Sequence, residues 1–277
     1  MRATTAALGH VPARVAHTIA APRVPWGLPE VFVISQTAIP ALLYLPGTQP
    51  FRLYVRVASF AIASAVLVWW MLGNARHARP HSVQPWIIAV LLYVAAMVLH
   101  PLSASTLAGI AQLVLYLSVI APFFWAPAVV RGPDHLARLI ALLLICNGVN
   151  AVVGVLQVYD PNRWMPAEMS RLVTESQFGL GTVTYRGPSG ETIVRPPGLF
   201  DNPGAVAGPG MYAALLGLVF AISAIPWWQR LAALGASFAG VAAIYLSQVR
   251  ISLVMTVLMF VAYAFVLALQ DRRGRAT

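Results

Sequence analysis

The sequence contains no lysine, a single cysteine and only eight acidic residues, and charged side chains make up 9% of its 277 positions. Each shortage excludes something. Soluble domains carry about 25% charged residues, so this chain, 59% hydrophobic with a mean hydropathy of +0.76, cannot be an ordinary water-soluble enzyme. One cysteine, Cys146, lying in an apolar run, supports neither a disulfide framework nor a thiolate metal cluster. With lysine absent, the net charge of +10 comes entirely from arginine. Nucleic-acid-binding domains gather such charge on one polar face. Here the arginines occupy short gaps between apolar runs, where membrane proteins collect positive charge in their cytoplasmic loops. The charge therefore reads as topology, and no nucleic-acid partner is expected. Segment 1–27 carries Arg2, Arg14 and Arg23 without the unbroken apolar stretch of a signal peptide, and reads as a cytoplasmic tail.

A membrane-spanning helix needs about 20 mostly apolar residues, because the hydrocarbon core is about 30 Å thick. Eight stretches qualify: 28–45, 53–72, 84–99, 105–127, 136–159, 204–225, 231–249 and 251–270. The first is interrupted by Pro40 and the third is short. These predict an all-α polytopic membrane protein: helices one to five over 28–159, a long external loop over 160–203, helices six to eight over 204–270 and a cytoplasmic tail over 271–277. Short-loop arginines place both termini in the cytoplasm. On that topology every tryptophan except Trp164 falls at the cytoplasmic boundary, as an interfacial belt. The spacings Gly204 to Gly208 and Ala236 to Gly240 are expected to serve close helix packing.

The loop over 160–203 holds five of the eight acidic residues. Within it, 182–185 and 192–195 read as strands around the turn 186–191, so a hairpin delivers Arg195 to Arg-Pro-Pro-Gly-Leu-Phe-Asp-Asn-Pro-Gly204. Asn202 suits an N-cap and Pro203 the first helical position, which starts the sixth helix there. A positive helix end beside an arginine fork can bind an anion such as phosphate. The seventh and eighth helices meet at Leu246-Ser-Gln-Val-Arg-Ile-Ser252, with Arg250 expected on the same membrane face as Arg195, free either to join that site or to snorkel to headgroups. Arg52 and Arg56, four residues apart, share a helix face and either add to the anion surface or anchor to headgroups. Asn147 and Asn150 are expected to hydrogen-bond between helices. His100 is the one histidine placed externally and is expected to be structural.

At these residues the sequence resembles the O-antigen ligase and O-antigen polymerase superfamily, nearer to exopolysaccharide polymerases. The similar parts are the Arg195-Pro-Pro-Gly-Leu-Phe-Asp-Asn-Pro-Gly stretch and Ser247-Gln-Val-Arg250 two helices later, and the resemblance runs from about Tyr159 to the C-terminus. It implies a GT-C-like glycosyltransferase of the bacterial inner membrane that uses no metal or other cofactor. Such a protein moves a glycan from an undecaprenyl pyrophosphate carrier to an acceptor at the periplasmic face. It also implies that Arg195 and Arg250 hold the pyrophosphate, with Arg52, Arg56 and Asn202 as further contributors. Relatives continue into a second large periplasmic loop, which supplies the acceptor-activating residue, and then into more membrane helices. This sequence stops at Thr277. The expectation is therefore a truncated chain, one that has lost activity, or half of a split enzyme whose partner polypeptide supplies the rest. The catalytic base is left unassigned, with His100, Glu191 and Asp201 the internal candidates. The competing reading is a noncatalytic membrane subunit or scaffold for lipid-linked glycans. A transporter is disfavoured, because the sequence shows no repeated hydropathy pattern with paired broken helices and few ionisable groups within its apolar runs.

Overall fold

The computed structural model describes residues 25–45, 47–74, 82–100, 105–165, 184–187, 189–200 and 202–276. Its helices are α1 (Leu28–Ala41), α2 (Arg52–Asn74), α3 (Gln84–Met97), α4 (Thr106–Ile120), α5 (Pro122–Val129), α6 (Gly132–Tyr159), the single turn α7 (Pro161–Trp164), α8 (Ala207–Ala221), α9 (Trp227–Ser247) and α10 (Arg250–Ala276). Two strands, β1 (Thr184–Arg186) and β2 (Thr192–Val194), interrupt the series. Each of the eight expected spans contains an α-helix. Five helical stretches are long and apolar enough to cross a membrane: Arg52–Gly73, Thr106–Val129, Gly132–Tyr159, Trp227–Ser247 and Arg250–Leu269. The helices of the other three expected spans are shorter.

Local chemistry sets these boundaries. Pro40 is tolerated inside α1, but the helix ends one residue later and tightens into a 3-10 turn at Leu42–Tyr44. Ser105 caps α4 by accepting the Ala108 N–H at 3.4 Å. The expected span 105–127 divides into α4 and α5 at Ala121, since Pro122 brings no amide hydrogen to continue the ladder. The expected tail over 271–277 is helical as far as Ala276.

The centre of the molecule is the α6–α8–α9 group, where Ala151, Val206, Ala213 and Ala243 form a fully buried cluster flanked by Val155 and Ala239. Lipid is as apolar as leucine, so such helices associate through close packing. Small side chains permit it. A methyl group on Gly240 would lie 2.5 Å from the Gly210 carbonyl, and one on Gly217 would lie 2.5 Å from the Ala233 carbonyl. The close-packing glycine of α8 is thus not Gly208, which faces open space, nor Gly204, which lies outside the helix. Ala236 meets Gly148 of α6. Around this centre α1 packs on α6, α2 on α4, and α10 mainly on α8.

At the far end of α1 and α6 from the hairpin, Glu30 is fully buried. His135 Nε2 lies 3.0 Å from its carboxylate, Arg138 pairs with the same oxygen, and the Gly27 N–H donates to the other at 3.0 Å. His135 Nδ1 accepts from the Arg131 N–H at 3.0 Å, which puts the imidazole proton on Nε2, toward the carboxylate. Trp125 departs from the expected interfacial belt: it is 2% exposed and packs edge-on against Phe32, 5.2 Å between centroids.

Candidate functional site

The hairpin pairs antiparallel, Thr184 with Val194, Tyr185 with Ile193 and Arg186 with Thr192, as its alternating sequence predicts. β2 leads into Arg195 and then into a buried backbone segment in which Pro196 and Pro197 are enclosed. Two polar side chains of α6 hold that segment. Gln157 makes a two-way amide bond with Gly198: its Oε1 accepts the Gly198 N–H at 2.9 Å and its Nε2 donates to the Gly198 carbonyl at 2.8 Å. Two turns earlier, Asn150 Oδ1 accepts the Leu199 N–H at 3.0 Å. Gly198 has a positive φ of +66, and a methyl group there would overlap Asn150 Oδ1. Only glycine fits.

Tyr44, at the end of α1, completes the latch. Its hydroxyl donates to the Gly198 carbonyl at 2.6 Å and accepts from Gln157 Nε2. Tyr44 and Gln157 also each reach the Trp164 carbonyl at 3.3 Å. Trp164 and Gly198 therefore meet at one polar node, which closes the long loop at its base. Asn150 precedes the end of α6 by nine residues, or about 14 Å at 1.5 Å per residue. The Gly198 N–H and carbonyl and the Leu199 N–H, none of them in a helix or strand, are all paired by these α6 side chains, the kind of pairing that non-helical backbone needs wherever water is excluded.

This segment ends in a change of direction. Gly204 has a φ of +78 and donates its N–H to the Arg195 carbonyl at 3.3 Å. This left-handed residue stops helical geometry from running back to Asn202, so α8 begins at Ala207 after overlapping turns. Asn202 is not the N-cap expected of it; its side chain is exposed and its carbonyl closes a turn with Ala205. Asn150 departs from its expected role too, since it binds the loop instead of a neighbouring helix. Asn147 bonds the Leu143 carbonyl within its own helix.

Gly204 is also where the two arginine-bearing segments converge. A single point beside it, the position of an absent methyl, lies 3.9 Å from Arg195 Cδ, 3.3 Å from Val249 Cγ2 and 3.8 Å from the Ser247 carbonyl. Arg195 is half-buried, and its Nε–H is closed off from solvent without an acceptor among the described residues. Arg250 is exposed and opens α10 immediately after Val249. Gln248, with a φ of 55, makes the sharp reversal from α9 into α10. Arg52 is half-buried and Arg56 exposed in the first turns of α2. His100 follows α3, where Gly109 of α4 packs on Val98. Glu191 turns its carboxylate onto Gly187 within the hairpin. Asp201 lies outside the described residues.

Tyr44, Gln157 and Tyr185 enter the site without having been anticipated from the sequence. Gln157 had a usable signal: with Asn150 it makes a polar pair seven residues apart, which is one face of an otherwise apolar helix. Tyr185 has its hydroxyl enclosed without a partner among the described residues. Burial pushes this phenol above its ordinary range, and Tyr159, Tyr245 and Glu191 push it the same way. It is a neutral donor at physiological pH. Among the described residues no cluster of three or more potential metal ligands occurs. Comparison with protein-family models, with curated proteins and with solved structures finds no match to this chain.

Proposed function

We propose that this chain is an inner-membrane polysaccharide polymerase- or ligase-like protein that acts on undecaprenyl-pyrophosphate-linked glycans at the periplasmic face. The observation that carries the proposal is the convergence at Gly204. Arg195 and the Ser247–Arg250 junction, two helices apart in sequence, adjoin the same glycine, and a buried guanidinium N–H there has no acceptor among the described residues. Guanidinium groups keep their charge at any physiological pH and engage phosphate oxygens through paired donors.

In the proposed reaction an acceptor hydroxyl attacks the anomeric carbon of the donor glycan. The bond to the diphosphate oxygen breaks, and the hydroxyl proton passes to a base. Arg195 and Arg250 stabilise the charge that grows on the departing diphosphate, an effect that is strong where water is excluded. Arg52, Arg56 and Asn202 extend the same polar surface. Arg195→Ala should abolish surface polymer at a normal level of the protein, and Arg195→Lys should restore little of it, because lysine lacks the fork. Polymer of unchanged amount and chain length in Arg195→Ala would remove this reading.

A second reading, a noncatalytic subunit that holds the lipid-linked donor for another protein, draws support from Glu191. This carboxylate, close in sequence to Arg195, is turned onto Gly187. Under that reading Arg195→Ala lowers the amount of polymer in proportion to lost donor binding and leaves the polymer made by an independently supplied enzyme intact.

A further inference from the structure

Strand alternation puts Tyr185 and its partner Ile193 on one face of the hairpin, and Arg195, directly after β2, continues that face. Tyr185 and Arg195 are then diagonal neighbours, about 7–8 Å apart at their first side-chain carbons and within reach of a common group. This is the inner face. Tyr185 and Ile193 are half-buried; on the opposite face Arg186 and Thr192, toward the turn, are exposed, while Thr184 and Val194, at the base of the hairpin, are half-buried. It looks toward the end of α6 and the last turns of α9, since Tyr159 and Tyr245 both bear on the Tyr185 phenol. Two donors on this face, Tyr185 Oη and Arg195 Nε, are shut off from solvent with no acceptor among the described residues. Buried donors in folded proteins are nearly always satisfied, and one unsatisfied donor beside another marks a place shaped for an acceptor-rich ligand.

We propose that Tyr185 is a second ligand-contacting donor of the Arg195 site, giving its hydroxyl hydrogen bond to a phosphate oxygen of the same lipid-linked diphosphate. The inference rests on the function proposed above and adds to it. The hairpin is a wall of the binding site, one face of which supplies a charged and a neutral donor together. Among the described residues nothing else uses the Tyr185 hydroxyl, so its removal should leave the fold alone.

The test is calorimetric titration of farnesyl diphosphate into the full chain in phosphatidylcholine nanodiscs, with the parent, Tyr185→Phe, Arg195→Ala and Arg186→Gln compared. Tyr185→Phe should weaken binding about fivefold to tenfold, the effect of one lost hydrogen bond, with an unchanged or higher unfolding temperature. Arg195→Ala should weaken it further, and Arg186→Gln, on the outer face, less than about twofold. Parent-like affinity in Tyr185→Phe alongside weakened Arg195→Ala overturns this inference and spares the proposed function. Parent-like affinity in Arg195→Ala, or no binding by the parent, overturns both. If phosphatidylglycerol in the nanodisc competes with farnesyl diphosphate in the parent and not in Tyr185→Phe, the phosphate belongs to a headgroup and the diphosphate assignment fails.

Discussion

Gly198 shows how much one backbone position can carry. Its left-handed conformation admits few side chains, and the carboxamides of Asn150 and Gln157 close over it. Gly198→Ala should cost about 1–2 kcal/mol in backbone strain. Displacing Asn150 from the Leu199 amide should cost about 1–3 kcal/mol more. Gly190 is the natural control, with a φ of +83 and nothing within 4 Å, so Gly190→Ala should show the strain alone. Thermal unfolding in detergent should rank the parent first, Gly190→Ala next and Gly198→Ala well below; equal losses for the two would remove the latch. The triad at the other end of α6 offers a second test at this scale. Glu30→Ala removes the buried carboxylate beside Arg138 and His135 and should lower the unfolding temperature, at a cost of about 1–3 kcal/mol. The sequence made Arg195 and Gly204 visible through a motif. The residues that hold that motif stayed hidden, because a tyrosine, a glutamine and an asparagine scattered over 113 positions, the separation of Tyr44 and Gln157, have no local signature.

At the level of elements, hydropathy located the helices well, since any long apolar stretch must satisfy its own backbone in lipid. It did not locate their packing faces. Small residues are abundant in α8 and α9, and composition alone does not say which of them meet. The face is set by where α8 starts, and Gly204 moves that start past Asn202 and Pro203 to Ala207. Gly210 and Gly217 then face Gly240 and the Ala233–Ser237 stretch, while Gly208 looks outward. Gly217→Val should therefore separate α8 from α9 and cost at least about 1–3 kcal/mol through overpacking. Gly208→Val should be nearly neutral. Unfolding temperatures of the two variants decide this, and a larger loss at Gly208 would mean that the register of the α8–α9 pair is wrong. The hairpin was legible for a related reason: its strands alternate, and a two-residue period is as readable in about eight residues as a helical one is in about fifteen.

For the whole molecule, the short reach of α8 and the course of the loop before it belong together. A helix of 15 residues spans about 22 Å, less than the hydrocarbon thickness, and Gly198 and Leu199, upstream of it, lie beside α6 at Gln157 and Asn150. The interactions that fix this arrangement also fix sidedness within the protein. The ends of α1, α6 and α9 meet the start of α8 at the hairpin face through Tyr44, Gln157, Gly198 and Gly204. Glu30, His135 and the α8–α9 turn, where Arg230 Nε donates to the Ala221 carbonyl at 2.7 Å, lie at the opposite ends of the same helices. The proposed function requires the hairpin face to be periplasmic, and this is tested at two small exposed residues, Ser189 in the hairpin and Ala224 in the α8–α9 turn. On a Cys146→Ser background, Ser189→Cys should react with a membrane-impermeant maleimide in intact spheroplasts, and Ala224→Cys should react only after lysis. The reverse pattern would turn the protein over and place the arginine site in the cytoplasm, where no periplasmic glycan could reach it. Labelling of both before lysis would mean that α8 and α9 do not carry these two positions to opposite sides of the bilayer, and the membrane reading of the latch would fall with them.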